Sequence, residues 1–491
     1  WLALFSRGED AIEVLPSGSL QAWEEGVCAQ AGFGRFALYT LENPHGSSIL
    51  LEPYRELTSG YPDPAYHRPE LHGSYDFSYT IGLPGLEKHC PADIRHTGFN
   101  NHPWPSNADI QNWVEHGITV ARLHNDFHNS GDFWHDGTFP PYDQKGIEQM
   151  QEVISQAHAA GIKVIPYFSL AELHPQSAAW QAHHEEWKRT SDDQDTEMHN
   201  YWQNGEYGSQ MCLASGWGDY LKEYIQKILA TYHFDGVYFD WVSSLFCNNR
   251  RHCGHDHITS DQILEFLEWT REFLGPERVL IIHTSGSPYM AAESYADATI
   301  VFEEIYGPPA LLTEPPLVDY FQPQMDMAEC IQRLLCPSIL AFKGEESARK
   351  FVANEMAAGL ISYLGQSTSP EHPLSKNFHR LKNYHLDQYT RLPALRAPVR
   401  TESEDVRAAI FYNDSEILLI PANVNRPEPV QSRIFLELKQ LPGIWNKQQN
   451  FQLLTESGER IFLTCADLES KGVPVDLDAY AYQIWKLQPA E

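Results

Sequence analysis

Phe234-Asp235-Gly236-Val237-Tyr238-Phe239-Asp240-Trp241 is a short, mostly apolar run that stops on a carboxylate. Such a run reads as a buried strand, and a carboxylate among apolar neighbours is costly to bury unless it is held or used. Side chains alternate along a strand, so Val237 and Phe239 share one face while Tyr238 and Asp240 share the other. The apolar pair suits a layer of helices, which leaves Asp240 pointing the opposite way from the C-terminal end of the strand. Upstream, Trp217, Tyr220, Leu221, Tyr224, Ile225, Ile228, Leu229 and Tyr232 recur at helical spacing and predict an amphipathic helix that feeds the strand.

The alternation of helix and strand runs from about residue 90 to 385. Strands are predicted over 94–99, 118–123, 162–168, 236–240, 279–283, 299–303, 338–342 and 360–364. Ile147, Met150, Ile154 and Ala157 form one helical stripe, closed by Gly161 at its C-terminal cap. Ile263, Phe266, Leu267, Thr270 and Leu274 form another, with Ser260-Asp261 as an N-cap pair. Eight such units predict an α/β fold of the TIM (β/α)8 barrel type, whose catalytic residues collect at the C-terminal strand ends. A doubly wound open sheet is the alternative, but no Gly-x-Gly-x-x-Gly follows any of these strands.

Residues 1–88 carry short apolar runs such as 36–39 and 48–51 between Gly, Pro and Ser, which predicts an N-terminal β module. The barrel is expected over 89–392. Short runs at 408–412, 417–420 and 480–485 predict a C-terminal β-sandwich over 393–491. The polar, acidic stretch 174–210 falls between the third and fourth strands, either as a substrate-binding flap or as a passive surface excursion.

The chain has 491 residues and a net charge of −31, from 35 basic and 66 acidic side chains. Such a surface repels phosphate backbones and anionic headgroups, so neither nucleic acid nor membrane is an expected partner. No window approaches the ~18 consecutive apolar residues of a membrane span. The start at Trp1 reads as trimmed or processed, which leaves the compartment open between cytoplasmic and secreted or periplasmic. Oligomeric state is equally open, with a homo-oligomer among the alternatives. The 13 Trp and 24 Tyr suit sugar stacking as well as ordinary core packing. The eight cysteines are dispersed and are expected to be mostly free thiols.

The run Thr299-Ile300-Val301-Phe302 also ends on acids, Glu303 and Glu304. With Ile300 and Phe302 taken as the outward face, Glu303 shares its parity with Thr299 and Val301 and is preferred as the inward group. Two carboxyl groups at the ends of the fourth and sixth strands would face each other across a barrel mouth, the arrangement that glycosidic cleavage requires. A structural role for Asp240, as a helix cap or strand-end acid, is the plainer alternative.

Gly161-Ile162-Lys163-Val164-Ile165-Pro166-Tyr167, taken with Phe234-Asp235-Gly236-Val237-Tyr238-Phe239-Asp240, resembles the third and fourth strands of the α-amylase and α-galactosidase superfamily of barrel glycoside hydrolases, and of uncharacterised glycosidases grouped near it. The resemblance covers roughly residues 90 to 491. It implies an aspartate nucleophile at Asp240 and, as in the α-galactosidase-like clan, an acid/base on strand six at Glu303 or Glu304. The chain departs from α-amylases in strand five, which ends on His283-Thr284-Ser285 without an acid, and from the clan in carrying glutamates where an aspartate is usual.

Arg122, His124, Asn125 and Asp126 follow the second strand, and His124 and Asp126 are the expected ligand contacts. Tyr167 and Ser169 have inward parity, with Glu172 just beyond as a further acid or a helix cap. Trp241 would stack on a sugar, and His283 would bond a hydroxyl or a buried backbone group. Between Cys247 and His257 lies a loop with the thiols and imidazoles that coordinate zinc. A structural metal, a Cys247–Cys253 disulfide and a plain loop with exposed histidines all fit it. Taken together, the expectation is a glycoside hydrolase of carbohydrate metabolism acting on a glycoside or oligosaccharide, retaining and α-specific, with no cofactor and no catalytic metal. A non-catalytic carbohydrate-binding barrel and a metal-dependent hydrolase are the alternatives.

Overall fold

The computed structural model describes residues 94–100, 103–124, 144–173, 177–190, 207–242, 246–254, 257–285, 290–301 except 294, 332–335, 344–392 except 366 and 367, and 398–490 except 439, 440, 442–444 and 446–449. It also describes isolated strands between residues 3 and 82 and at 199–200. The chain divides into two compact units. One comprises Trp1–His89, His96–Val114 and Ile118–Val301; the other comprises Cys90–Arg95, Glu115–Gly117 and Phe302–Glu491.

The first unit is built on six parallel strands: β1 (His96–Phe99), β2 (Val120–Leu123), β3 (Lys163–Ser169), β4 (Gly236–Asp240), β5 (Val279–Ser285) and β6 (Ala298–Val301). Each pairs with its neighbour in sequence, without the reversal of order that a doubly wound sheet requires. Among the helices between them are α1 (Asn107–Glu115), α2 (Gln144–Ala159), α3 (Ala178–Trp187), α4 (Gly216–Thr231) and α6 (Ser260–Leu274), with the single turn α5 (Arg250–Cys253) before the last. Outward aromatics carry the packing: Phe99 meets Trp113 of α1, Phe168 meets Tyr224 of α4, and Phe239 meets Phe266 of α6. The period-two reading of β4 therefore holds for its apolar face.

Two aspartates pin the starts of strands by the same device. Asp235 Oδ2 accepts the Val164 N–H at 2.7 Å and lies 2.8 Å from His158 of α2. Asp297 Oδ2 accepts the Leu280 N–H at 2.7 Å and the Arg271 guanidinium of α6 at 2.9 Å. In each case a carboxylate preceding one strand holds the previous strand and the helix that leads into it, a use of charge-assisted hydrogen bonds that fixes register.

Some local expectations shift. The N-cap of α6 is Thr259 and makes no side-chain cap bond, so Ser260 already lies inside the helix. The stretch 174–210 is not a bare loop. It contains α3, capped by Ser177, and strands His199–Asn200 and Tyr207–Gln210, the latter antiparallel to Glu172–Leu173. The window 338–342 lies outside the described residues. Among the N-terminal strands, Arg35–Asn43 pairs antiparallel with Gly46–Arg55, and Asp10–Pro16 pairs with both Ala3–Arg7 and Tyr79–Gly82.

In the second unit, Gln332–Leu335 pairs in parallel with Ile361–Ser362. Further along lie a six-stranded and a three-stranded antiparallel sheet, which share one core that includes Val406, Ile410, Leu419, Ile434, Val475 and Trp485. Val430–Leu436 and Val473–Leu477 bury alternate residues, as a sheet with one solvated face requires. The last strand begins only at Trp485, so most of the run predicted over 480–485 is not strand.

Within this unit Glu355 is fully buried. Its carboxyl receives the Ser362 hydroxyl, the Ser362 N–H at 3.2 Å and the Asn377 amide at 2.7 Å, while Tyr482 donates to Asn377 at 2.5 Å. Burial pushes Glu355 up to about 8 although these bonds favour the carboxylate. Its folded pKa lies above its unfolded one, so the stabilisation is complete in acid and declines as pH rises toward 8. We expect wild type to lose on the order of a few kcal/mol of unfolding free energy between pH 5 and pH 9 from this group. Glu355→Gln should lose less than half as much in urea melts at both pH values, and equal slopes would sink this account.

Candidate active site at the end of β4

Opposed residues of a parallel pair point the same way. Gly98 lies opposite Arg122, Arg122 opposite Ile165, Tyr167 opposite Tyr238, and Ser169 opposite Asp240. Tyr238 in turn faces Ile281, two residues before His283. The face away from the helices thus carries Arg122, Tyr167, Tyr238, Asp240 and His283. Gly98 makes room there, since a Cβ would lie 3.4 Å from the Arg122 guanidinium, and that group sits 4.1 Å from the centre of the Tyr238 ring. Tyr167 and Tyr238 stack at 5.4 Å, and His124 meets Tyr167 edge-on at 4.6 Å.

Asp240 is the focus of this column. Tyr167 Oη donates to its Oδ2 at 2.8 Å, and the Trp241 N–H donates to its Oδ1 at 2.8 Å. His283 Nδ1 lies 3.0 Å from the same Oδ1 and 2.9 Å from Tyr238 Oη. Burial alone would raise the carboxyl, but the His283 charge and the hydrogen bonds from His283, Tyr167 and Trp241 outweigh it and hold Asp240 well below the usual carboxylate range. The group is therefore suited to act as a nucleophile or base rather than a proton donor. Its side chain retains 19% exposure, enough for a ligand to reach it. Trp241 adopts a left-handed φ of 57°, which costs a non-glycine residue about 1–2 kcal/mol and turns its N–H back onto the carboxylate.

Glu172 is 1% exposed and stands in the short strand opposite Gln210. Its N–H donates to Ser169 Oγ at 3.0 Å. The helix-capping alternative for Glu172 does not hold, because α3 is capped by Ser177, which accepts the Trp180 N–H at 3.0 Å. Glu303, Glu304 and Asp126 lie outside the described residues.

The face assignment for the sixth strand changes. Thr299 lies opposite Ile282 and Ile300 opposite His283, so Ile300 shares the inward face and Thr299 points outward, where its hydroxyl is 3.3 Å from that of Thr284. The register then slips between His283 and Ser285, opposite Ile300 and Val301. Alternation read from Thr299 consequently cannot decide between Glu303 and Glu304. Tyr238, which joins Arg122 to His283, was not singled out from the sequence, although its shared parity with Asp240 was the available signal.

Cys212, Cys247, Cys253 and Cys465 are free thiols among the described residues, so Cys247 and Cys253 form no disulfide. His257 is buried rather than exposed.

The strand order and the polar column define an α/β protein of the parallel, sequentially wound class with an ionised carboxylate at a strand end. A family described as a domain of unknown function (DUF6259) matches residues 89–260. No curated protein sequence matches the chain significantly. Solved structures resemble its fold. They include the galactosidase domain of the α-galactosidase-sucrose kinase AgaSK (TM-score 0.60, 13% identity, 98% of this chain and 68% of that one). A noncanonic maltogenic α-amylase AmyB from Thermotoga neapolitana is also similar (0.56, 11%, 81% and 99%). So is the GH36 α-galactosidase AgaA from Geobacillus stearothermophilus (0.52, 13%, 81% and 56%). The fold resemblance to α-amylases and α-galactosidases expected from β3 and β4 is thus present in three dimensions. No helix among the described residues is long and apolar enough to cross a membrane.

Proposed function

We propose that this protein is a glycoside hydrolase that cleaves α-linked glycosides or oligosaccharides with retention of configuration. In this reading the parallel strands belong to a closed (β/α)8 barrel over 89–392, set between an N-terminal β module (1–88) and a C-terminal β-sandwich (393–491). The observation that carries it is the ionised Asp240 carboxylate, reachable at a strand end and aimed by Tyr167, His283 and the Trp241 N–H. The names of the similar structures, α-amylase and α-galactosidase, supply the substrate class.

Asp240 attacks the anomeric carbon while Glu303 or Glu304 protonates the departing glycosidic oxygen, leaving a covalent glycosyl-enzyme and a free alcohol. The same glutamate then takes a proton from water, whose oxygen displaces Asp240. Retention requires the two carboxyl groups to stand about 5–5.5 Å apart. His124, Asp126 and Trp241 would contact sugar hydroxyls and ring faces, with Glu172 buried beside Ser169, and no step needs a cofactor.

Glu303→Gln and Glu304→Gln, assayed separately on an alkyl glycoside, should separate the candidates. One is expected to lose about 10²–10⁴-fold in kcat/KM and the basic limb of its pH profile, the other less than about tenfold. NMR of the first-formed sugar should show the anomer of the substrate. Inverted product, or two variants with near wild-type activity, would overturn the assignment.

A further inference from the structure

We propose that Cys212, Cys247, His252 and His257 form a tetrahedral zinc site that pins together the two chain excursions flanking Asp240. The four ligand atoms lie within 4.8 Å of one another. Cys212 Sγ is 3.2 Å from His257 Nε2, and Cys247 Sγ is 3.6 Å from His252 Nδ1. Zinc bonds of about 2.3 Å to sulfur and 2.0–2.1 Å to nitrogen, at tetrahedral angles, separate sulfur from nitrogen by about 3.6 Å and sulfur from sulfur by about 3.8 Å. The cage is therefore within about 1.5 Å of the size that zinc demands.

Separate backbone devices bring the ligands to one point. Cys247 and His257 are direct cross-strand partners in a small antiparallel pair. Between them, Asn249 caps α5 through the Arg251 N–H, and Gly254 ends it in the left-handed conformation, which presents His252. The fourth ligand comes from the other excursion, where the Cys212 N–H donates to Trp187 O at 2.8 Å just before α4. The excursions are also tied by the Asn248 N–H to Thr190 O at 2.9 Å and the Thr190 hydroxyl to Asn248 Oδ1 at 2.6 Å.

His252 is oriented as metal-bound imidazoles are. Its Nε2 donates to Glu186 O at 2.7 Å, which leaves the Nδ1 lone pair facing Cys247. Cys212, Cys247 and His257 are buried. Two thiols and two imidazoles converge in a largely dry site, the side-chain types and number that a tetrahedral metal ion takes. The mixed sulfur and nitrogen set selects zinc over magnesium or calcium. Four protein ligands leave no open position for substrate, so the role is structural. Cys253, only partly buried, stands outside the cage. The resulting pattern, Cys-x34-Cys-x4-His-x4-His, departs from compact finger spacings. The site would tie together the chain segments before and after β4 without entering the chemistry at Asp240.

The 491-residue chain, stripped with a chelator and dialysed against zinc chloride or cobalt chloride, should take up one metal ion per chain by elemental mass spectrometry. Cobalt should give intense tetrahedral d–d bands and thiolate-to-cobalt charge transfer. Cys253→Ser should keep both signals. Cys212→Ser and His257→Asn should each weaken zinc binding by at least about a hundredfold. Should a variant fail to fold, the wild-type cobalt spectrum still decides. A folded wild-type chain that takes up no stoichiometric metal, an octahedral cobalt spectrum without charge transfer, or a Cys212–Cys247 disulfide in protein purified under reducing conditions would overturn the proposal.

Discussion

Asp240→Asn is expected to lower kcat/KM for an aryl glycoside by about 10⁴-fold or more while moving the thermal midpoint by no more than a few degrees. The variant keeps the shape of the site. An amide oxygen can still accept the Trp241 N–H, and the amide nitrogen can donate to Tyr167 Oη, which now accepts in place of donating. What disappears is the negative charge facing His283 and the oxygen nucleophile itself. Screening aryl glycosides of both anomers identifies the substrate on which to measure the effect. Asp240→Gly with added azide should then partly recover turnover, because a small anion fits where the carboxylate stood, and should release a glycosyl azide of the opposite anomer. A loss smaller than about tenfold would remove Asp240 from the nucleophile's role, and a wild type that binds sugars without turning any over would favour a carbohydrate-binding protein over an enzyme.

Gly236→Ala is expected to be the most damaging conservative change in the first unit. Gly236 has a φ of 157°, which L-residues rarely adopt, and a Cβ there would sit 1.9 Å from the backbone oxygen of Val279, its register partner on β5. The Val279 N–H also donates to Asp235 O at 2.8 Å, so β5 cannot retreat without breaking its bond to the start of β4. Splaying the strands would open the packing of Val237, Phe239 and Leu280, all fully buried. We expect a loss of more than about 4 kcal/mol, seen as insoluble protein or a midpoint lowered by about 10 °C or more. Gly161→Ala is the control. Its φ of 76° carries only backbone strain, since nothing lies within 4 Å of the added carbon, and about 1 kcal/mol should be lost. Similar melting of the two variants would refute the close-approach explanation.

The spacing of apolar residues made β3, β4, α2 and α4 legible, because burial on one face imposes a period of two on a strand and of 3.6 on a helix, whatever the partner. The same parity put Asp240, Tyr167 and Tyr238 on one side, and β4 bears it out. It failed at β6. There apolar alternation predicts an outward Ile300, yet it lies opposite His283, and the adjacent register slip breaks alternation just before the two glutamates. When both faces of a strand are buried, as at Ala298–Val301, an apolar residue carries no information about which way it points.

The cysteine and histidine loop shows a second limit. The composition of 247–257 admits metal chemistry, a Cys247–Cys253 disulfide or a plain loop, and the thiols within that stretch are Cys247 and Cys253. The three-dimensional arrangement instead brings in Cys212 from before α4. Contacts between chain excursions depend on loop paths, which no local pattern encodes.

By itself, then, the sequence determined the parallel helix and strand alternation and the direction of the Asp240 side chain, both consequences of short-range periodicity and burial. Only the tertiary structure decided what surrounds that carboxylate. Tyr167 and His283 reach it because β3 and β5 lie alongside β4 in one register, and Trp241 turns back onto it through a strained backbone angle. Register is set by hydrogen bonds between segments tens of residues apart, and it brings His283 and Tyr167 to the strand end, where their bonds and the Trp241 N–H favour the ionised form of Asp240.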